Sequence, residues 1–263
     1  EWKSYYKNGK LKTLGKYENG KRIGEWKYYH ENGELKTIGN FENDKEKGLF
    51  RAYYENGTMS YIGKFENGHK TGEWKSYHEN GELKYISNYK NDKEKGVFKT
   101  YYENGKLKIL GKYESGKIIG EWKSYHENGV LRAVGEFENG KKQGEWKCYY
   151  NNKKLKMIGK FNNGKLEGEW RNYHYNENLS QIGKYNNDEP EGEWKIYHSN
   201  KSIYQIRLWE NGKLIDIISC YDNKGNSLKK GTLVNGNGSV HYYDENGTLT
   251  ETKTYVNGLV QKK

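Results

Sequence analysis

GEWKSYHENGELK, residues 72–84, is a phrase that the chain repeats along its length. Residues 24–33 read GEWKYYHENG and residues 120–129 read GEWKSYHENG. The aromatic residue of this phrase recurs every 24 residues without a shift, at Trp2, Trp26, Phe50, Trp74, Phe98, Trp122, Trp146, Trp170 and Trp194. A fixed period of this length is the sequence signature of a repeat architecture.

Asn-Gly pairs divide each repeat into two short runs of β-forming residues. They occupy positions 8–9, 32–33, 56–57, 80–81, 104–105 and 128–129. A second Asn-Gly or Asn-Asp pair follows in each repeat, as at 19–20 and 43–44. Asn-Gly is a strong hairpin signal because a type I′ turn needs positive φ at both central residues. The sequence therefore predicts an all-β fold, an elongated single-layer antiparallel meander that forms a solenoid of 24-residue β-hairpin repeats.

Two strand registers are compatible with the turn at Asn32-Gly33. A two-residue loop pairs Trp26 with Gly39, so that aromatic rings cover glycines that have no side chain. A three-residue loop with a bulge at the glycine pairs Trp26 with Ile38 instead. We favour the first register because it explains the glycines that recur in one slot, namely Gly15, Gly39, Gly63, Gly111, Gly135, Gly159 and Gly183.

The repeat pattern also predicts the domain organisation. Residues 1–207 contain nine 24-residue hairpin repeats, and residues 208–263 contain two degenerate repeats that form a C-terminal cap. The pattern blurs after Trp209 and returns two residues early, at Tyr242 and Tyr243. Terminal repeats of a solenoid are atypical because they close the stack. A small appended β unit is the alternative.

The composition excludes an ordinary globular core. Hydrophobic residues reach only 32% and the mean hydropathy is −1.25, but aromatic residues make up 15% and bury large areas each. The net charge of +11 favours an acidic partner, although lysine also keeps sheet edges soluble and unpaired. No apolar run approaches the ~20 residues of a membrane helix.

We expect a cytoplasmic location. Two cysteines without a partner favour a reducing compartment. The chain opens at Glu1-Trp2, in mid-phrase and without Met, so we expect the natural protein to extend upstream, where a signal would lie outside this sequence.

The run GKYENGKRIGEW, residues 15–26, resembles the MORN repeat. It is closer to the bacterial variant, in which G-x-W-x-x-Y-x-x-N-G-x-L alternates with G-x-Y-x-N-G-K. The resemblance covers residues 1–214 strongly and 231–258 weakly. Bacterial chains made of this variant alone are similar to YwqK-type antitoxins, the presumed immunity partners of secreted toxins. The resemblance thus implies a protein partner, a toxin, while other MORN proteins imply scaffolds or lipid-binding modules.

The repeat geometry argues against a catalytic or metal site. Equivalent residues of adjacent repeats lie roughly 10 Å apart, so the repeated histidines cannot share one metal ion. His174 and His198 are in adjacent repeats, but two histidines without Cys or carboxylate support are weak evidence for zinc. Cys148 and Cys220 are three repeats apart, roughly 29 Å, and are predicted to be free thiols. We therefore expect no enzyme, no metal, no cofactor and no small-molecule substrate.

Two columns of side chains share one face and are the candidate binding surface. The cations are Lys27, Arg51, Lys75, Lys99 and Lys123. The tyrosines are Tyr29, Tyr53, Tyr77, Tyr101 and Tyr125. Interleaved cations and rings bind nucleic acid or anionic lipid, or else the lysine stems only cover the rings. The Glu25/Lys27 and Glu73/Lys75 pairs are predicted to neutralise each other on one face.

A second candidate is a stripe of residues that vary between repeats. It includes Tyr61 and Tyr85 within an otherwise constant framework. Repeat proteins present recognition surfaces in this way. The leading hypothesis is a non-catalytic antitoxin or immunity protein that occludes a toxin with its sheet face. The alternative is a scaffold that binds anionic lipid or nucleic acid through the lysine and tyrosine columns.

Overall fold

The computed structural model describes residues 1–261. The chain forms two compact units, Glu1–Gly129 and Val130–Lys263. The strands of the first unit are β1 (Trp2–Tyr5), β2 (Leu11–Glu18), β3 (Lys21–Tyr29), β4 (Leu35–Glu42), β5 (Lys45–Tyr53), β6 (Met59–Glu66), β7 (His69–Tyr77), β8 (Leu83–Lys90), β9 (Lys93–Tyr101), β10 (Leu107–Glu114) and β11 (Lys117–Tyr125).

The second unit has the same organisation and adds a small second sheet. Its strands are β12 (Leu131–Glu138), β13 (Lys141–Tyr149), β14 (Leu155–Asn162), β15 (Lys165–Tyr173), β16 (Leu179–Asn186), β17 (Glu189–Tyr197), β18 (Ile203–Glu210), β19 (Lys213–Cys220), β20 (Gly238–Tyr243), β21 (Leu249–Val256) and β22 (Leu259–Val260). Strands β20–β22 form the three-stranded sheet.

Within each unit, consecutive strands pair antiparallel. The pairing runs from β1 to β11 in the first unit, as β3–β4 and β4–β5 illustrate, and from β12 to β19 in the second. The predicted all-β, single-layer antiparallel meander is therefore confirmed in both units. Within residues 1–261 there is no helix with the length and apolar character needed to cross a membrane.

The two turns of each repeat differ. Asn19 and Gly20 both have positive φ, at 48° and 76°, and Glu18 pairs with Lys21, so this is the two-residue type I′ turn. At the other turn only Gly33 has positive φ. The Gly33 amide donates to the His30 carbonyl at 2.9 Å, which gives a three-residue loop with a bulge. The predicted two-residue loop at Asn32-Gly33 is therefore wrong.

The predicted pairing of Trp26 with Gly39 is nevertheless confirmed. Tyr29 pairs with Leu35, whereas Tyr28 pairs with Thr37, so Lys36 forms a second bulge in β4. This extra residue compensates for the longer loop and returns the strands to the favoured register. The same shift recurs between Tyr53 and Ala52 in the next hairpin.

The aromatic rings cover glycines of the strand before them. The ring of Trp26 lies against the backbone of Gly15, that of Phe50 against Gly39 and that of Trp74 against Gly63. A Cβ at any of these glycines would overlap ring carbons. The expected cover of Gly39 by its register partner Trp26 is thus wrong in direction, because the ring turns towards Gly15 of β2. Gly24, in the same strand as Trp26, has a φ of +65° and lies in a bulge opposite Gly15.

One repeat departs from this rule for a clear steric reason. Ser87 takes the place of the glycine that Phe98 would otherwise cover, and Phe98 instead lies against Gly111. Ser87 is fully buried and its hydroxyl has no hydrogen-bond partner among the described residues. The Cβ of a serine is enough to redirect the ring of the following strand.

Rows of aromatic rings take the place of a hydrophobic interior. In the first unit Trp26 is 2% exposed and its ring centroid lies 4.9 Å from Tyr17 and 6.3 Å from Phe41, both at edge-to-face angles. Each buried aromatic side chain removes ~150–250 Å² from water, worth roughly 4–6 kcal/mol as an upper estimate. Exposed ion pairs contribute ~0–1 kcal/mol, so the rings hold the sheet together.

Hydrogen-bonded ladders join each repeat of the first unit to the next. The Tyr6 hydroxyl donates to the Tyr29 carbonyl at 2.6 Å, and the Tyr54 hydroxyl to the Tyr77 carbonyl at 2.8 Å. His30 occupies the same slot, with Nε2 at 2.9 Å from the Tyr53 carbonyl. This common role of the tyrosine hydroxyl and the imidazole explains why Tyr and His alternate in this slot.

Asparagine forms the second ladder, at the three-residue loops. Asn32 Oδ1 accepts from the Glu34 amide at 2.9 Å, and its Nδ2 donates to the Glu55 carbonyl at 2.8 Å. The same side chain therefore closes its own turn and binds the next one.

The second unit ends in a cluster of a more globular kind. Leu214, Ile217, Leu233 and Val240 are buried together, with Trp209, Tyr242 and Tyr255 packed around them. Residues between β19 and β20 contribute isolated bridges, such as Gly231 with Val240. The predicted boundary at 207/208 stays a prediction.

Replacing Gly63 by Ala is expected to destabilise the protein. The new Cβ overlaps the Trp74 ring, and overpacking of this kind costs about 1–3 kcal/mol. The midpoint of thermal unfolding should therefore fall. Ser87→Ala is the matched control, because a Cβ is already present there and the change removes a buried hydroxyl without a partner. Equal midpoints for Gly63→Ala and the parent would contradict the role of the ring.

Replacing Tyr54 by Phe should remove one rung of the ladder. The change deletes only the hydroxyl that donates to the Tyr77 carbonyl, at a cost of about 0.5–1.5 kcal/mol. Tyr54→His should retain most of the stability, because histidine holds the equivalent rung at His30 and His78. Urea titration of the parent, Tyr54→Phe and Tyr54→His compares their midpoints of unfolding. Equal midpoints for the two variants would show that this hydrogen bond does not stabilise the protein.

Candidate binding surface

The two faces of the first unit carry different side chains. Successive residues of a strand point to opposite faces, so Lys27 and Tyr29 share one face while Trp26 and Tyr28 share the other. The face of Lys27 is called the lysine face, and that of Trp26 the aromatic face. The Tyr28 ring stacks on Trp26 with centroids 6.1 Å apart, which supports this division.

Glutamates neutralise much of the predicted cation column. Lys27 Nζ lies 2.9 Å from Glu25 Oε1, and Lys75 Nζ lies 2.7 Å from Glu73 Oε1. Hydrogen bonds to these carboxylates raise the pKa of the Lys27 and Lys75 ammonium groups above the usual range. The neutralisation predicted from Glu25/Lys27 and Glu73/Lys75 is confirmed. The same arrangement holds at Lys123, whose partner is Glu121 at 2.7 Å.

Arg51 and Lys99 differ from the rest of the column. Neither forms an ion pair within residues 1–261, because Leu49 and Val97 stand where the other repeats have glutamate. Both aliphatic side chains are exposed, at 42% and 53%. The basic column is thus a series of neutral pairs interrupted by two cations without a carboxylate.

The tyrosine column has a structural role through its backbone. In each repeat the backbone carbonyl of this tyrosine accepts a hydrogen bond from the Tyr or His side chain of the preceding repeat. The accepting residues are Tyr29, Tyr53, Tyr77, Tyr101 and Tyr125. Their side chains are half-buried on the lysine face. These tyrosines therefore lie beside the cation column, as predicted.

Tyr61 and Tyr85 lie on the opposite, aromatic face. The Tyr61 ring stacks on Trp74 at 5.8 Å, and Tyr85 lies 6.5 Å from Phe98. Burial raises the pKa of the Tyr61 phenol, which keeps it protonated at neutral pH. The predicted binding residues are thus divided between two faces of the sheet.

An open cleft of about 430 Å³ lies on the aromatic face between Tyr28 and Tyr61. Its floor includes Thr37, and the small residue Ala52 is the partner of Thr37 on the neighbouring strand β5. At one end the Arg22 guanidinium lies 4.0 Å from the Phe41 ring centroid. Arg22 also binds Asp44, with Nε 3.2 Å from Oδ1.

A second open cleft, of about 360 Å³, lies on the other side of Tyr61. It extends to Tyr85, and Ser76 gives it depth. Lys70 Nζ lies 4.5 Å from the Trp74 ring centroid and 5.3 Å from that of Tyr89. Both clefts have aromatic walls and one cation over a ring.

His174 and His198 are occupied by the ladder of the second unit. Nε2 of His174 lies 2.9 Å from the Tyr197 carbonyl, and that of His198 lies 3.0 Å from the Tyr221 carbonyl. In the part of the chain that the structure describes, no group of three or more His, Cys, Asp or Glu side chains has metal-binding geometry.

The repeats match a known family model over most of the chain. The model is described as the MORN repeat variant, and it matches residues 1–21, 22–43, 46–67, 70–91, 94–115, 118–139, 142–163, 166–187, 190–211 and 237–257. The chain belongs to the MORN repeat variant family. MORN repeats are generally protein-binding or lipid-binding repeats, which agrees with a binding surface on the sheet. No curated protein sequence matches this MORN-repeat chain.

Among solved structures, this MORN-repeat chain is similar to parts of much longer chains. The crystal structure of TcdB2-TccC3 is 12% identical, with 94% of this chain and 18% of that chain covered and a TM-score of 0.20. The Photorhabdus luminescens Tc holotoxin pore with a TccC3 substitution is also 12% identical, with coverage of 98% and 16% and a TM-score of 0.21. These scores are too low to indicate a common fold.

The sequence reasoning missed the replacement of glutamate by Leu49 and Val97. A signal was present, because NDKEKG at 43–48 and 91–96 precedes an aliphatic residue in both cases. The clefts were missed as well. They depend on small residues, such as Ala52 and Ser76, that lie between the tyrosines across strands rather than along the chain.

The two cysteines are expected to react slowly as free thiols. Cys148 is half-buried and Cys220 is buried, and burial raises the pKa of both thiols. Since the thiolate is the nucleophile, alkylation at neutral pH should be slower than that of glutathione and should accelerate as pH rises above the usual thiol range. Mass spectrometry of iodoacetamide-treated native protein measures this. Reaction as fast as glutathione at either cysteine would contradict it, and unfolded protein is the control.

Proposed function

We propose that this MORN-repeat chain is a non-catalytic binding protein that occludes another protein with a face of its sheet. The partner class is a protein toxin, so the chain acts as an antitoxin or immunity partner. The resemblance of its repeats to YwqK-type antitoxins supports a toxin as the partner. The observation that carries protein binding is the pairing of Lys27, Lys75 and Lys123 with glutamates of their own strands.

Lysines that are paired with glutamates do not form the continuous positive surface that a polyanion binds. Nucleic acid and anionic membrane are attracted by a continuous positive surface, and their affinity comes from many phosphate contacts. On the lysine face of the first unit, glutamates interrupt that surface in four of the six repeats, at Glu1, Glu25, Glu73 and Glu121. A folded protein has charges of both signs at fixed places, and it can match separate charged and apolar positions.

The alternative partner is anionic lipid or nucleic acid. The net charge of +11 and the unpaired cations Arg51 and Lys99 support it. Binding of this kind falls steeply as salt rises, because it depends on screened charges and released counterions.

Photo-cross-linking tests the proposal. A benzoyl-phenylalanine at Tyr77 samples the lysine face and one at Tyr61 samples the aromatic face, in cells of the organism that carries the gene. We expect one protein to be captured, to arrest growth when it is produced alone, and to lose that effect when this chain is co-produced. The cross-linker at Lys201, in a turn of the second unit, is the control for random capture.

A captured protein that is harmless, or that remains toxic in the presence of the chain, would refute the proposal. Vesicles with phosphatidylserine and a short single-stranded DNA are tested in parallel at low and high salt. Strong, salt-dependent binding to either of them, without growth rescue, would establish the alternative.

A further inference from the structure

The first unit has six equivalent positions, Glu1, Glu25, Leu49, Glu73, Val97 and Glu121, and the middle four alternate between glutamate and an aliphatic residue. Glu25 and Glu73 bind Lys27 and Lys75, whereas the positions between and after them hold Leu49 and Val97. Aliphatic side chains on a polar face are normally covered or replaced by charge. Here they remain 42% and 53% exposed.

The residue across the strand pair changes in the same sense. Glu25 pairs with Asn40 and Glu73 with Asn88, but Leu49 pairs with Lys64 and Val97 with Lys112. Lysine also lies across from Glu145 and Glu169 in the second unit, so what distinguishes Leu49 and Val97 is the missing glutamate beside a retained lysine.

The two changes together alter the local charge. Glu25, Lys27 and Asn40 carry formal charges of −1, +1 and 0, which sum to 0. Leu49, Arg51 and Lys64 carry 0, +1 and +1, which sum to +2. None of Arg51, Lys64, Lys99 and Lys112 forms an ion pair within the described residues 1–261. Leu49, Arg51 and Lys64 form patch A, and Val97, Lys99 and Lys112 form patch B.

We propose that patches A and B are two docking points for an acidic segment of the partner protein. Carboxylates of that segment pair with Arg51 and Lys64 in patch A and with Lys99 and Lys112 in patch B. An apolar side chain of the same segment covers Leu49 or Val97. The inference rests on the proposed function, to which it adds the face used and the charge of the partner.

Charge complementarity and exposed apolar area together favour a protein as the occupant. An apolar centre flanked by cations, with arginine among them, is typical of protein interfaces. A phosphate backbone gains nothing from Leu49 and Val97, and the neutral pairs at Glu25 and Glu73 offer it no net attraction.

The spacing of the patches predicts a two-point attachment. Leu49 is on β5 and Val97 on β9, four strands apart, which is roughly 19 Å at ~4.8 Å per strand. An extended peptide of about four residues reaches only ~13 Å, whereas one of about ten residues reaches ~33 Å and spans both patches. Linked contacts raise affinity beyond that of either patch alone.

Fluorescent glutamate peptides of these two lengths are the probes. The longer peptide is expected to bind the full chain at low salt more tightly than the shorter one. The double variant Leu49→Glu with Val97→Glu introduces glutamate, the residue found at the equivalent positions Glu25 and Glu73. The fold should therefore be preserved, and circular dichroism checks this. This double variant should lose about tenfold in affinity for the longer peptide. In Leu49→Glu alone, the advantage of the longer peptide should disappear.

A charge-matched variant controls for net charge. Lys21→Gln with Lys141→Gln lowers the net charge by the same two units at the starts of β3 and β13, which pair with none of the strands that carry patch residues. Its affinity for the longer peptide should fall by less than about twofold. Equal losses in the two double variants would overturn the proposal, because only the net charge would then matter.

The other classes of occupant are tested with the same proteins. If vesicles with phosphatidylserine, or a short single-stranded DNA, bind the parent and lose affinity in the patch variant while the peptide does not bind, the proposal is wrong. Conversely, Glu25→Leu with Asn40→Lys recreates a patch beside Lys27 and should strengthen peptide binding. Unchanged binding in this variant would also count against the patches.

The toxin experiment separates this inference from the proposed function. If the patch variant captures and neutralises the toxin as well as the parent does, the patches are wrong and the proposed function stands. If the patches bind the acidic peptide selectively but the protein that they capture is not toxic, the patches stand and the antitoxin role fails.

Discussion

The packing of an aromatic ring against the backbone of a glycine in the preceding strand is the interaction on which this structure depends. Trp26 on Gly15 and Trp74 on Gly63 show it in its usual form. The ring covers peptide groups that a side chain would otherwise protect, so a single layer can exclude water without a second sheet. Ser87 shows how strict the requirement is, since one Cβ sends Phe98 to Gly111 instead. The low hydrophobic content of the chain is sufficient because few, large side chains do this work at fixed intervals.

Rings and ladders fix the framework, and they leave the remaining face positions open to variation. The tyrosine or histidine rung and the asparagine bridge use one slot each per repeat, as at His30 and Asn32. Glu25 and Lys27 are not part of either ladder, and Leu49 with Arg51 can replace them without a change of register. Charge on the lysine face is therefore set independently of stability, which is the property that a recognition surface requires.

The period and the alternation of β-forming residues predicted the meander and the pairing of Trp26 with Gly39. The loop at Asn32-Gly33 was not predictable from the dipeptide alone, because the bulge at Lys36 restores the register that a two-residue loop would have given. The side to which Trp26 turns was also open, since Gly15 and Gly39 flank it on both sides; in the structure Trp26 covers Gly15, and Phe50 covers Gly39. For the candidate site, the sequence located the cations and the tyrosines, and it predicted the neutral pair at Glu25. It could not show the clefts on either side of Tyr61, because they depend on how deep the small residues Ala52 and Ser76 leave the surface between neighbouring tyrosines.

The alternation of His30 with Tyr54 on one ladder bears on how such a chain can change in length. Both side chains donate to the same carbonyl position, so the loss or duplication of a single copy would leave every rung intact. The charge pattern between Glu25 and Val97 is less tolerant, because there it repeats only after two copies. Gene duplication by 48 residues would conserve the spacing of like surfaces, whereas a change by 24 residues would bring Leu49 and a similar residue into neighbouring copies. Selection on the exposed surface, rather than on folding, would then set the unit by which this protein grows or shrinks.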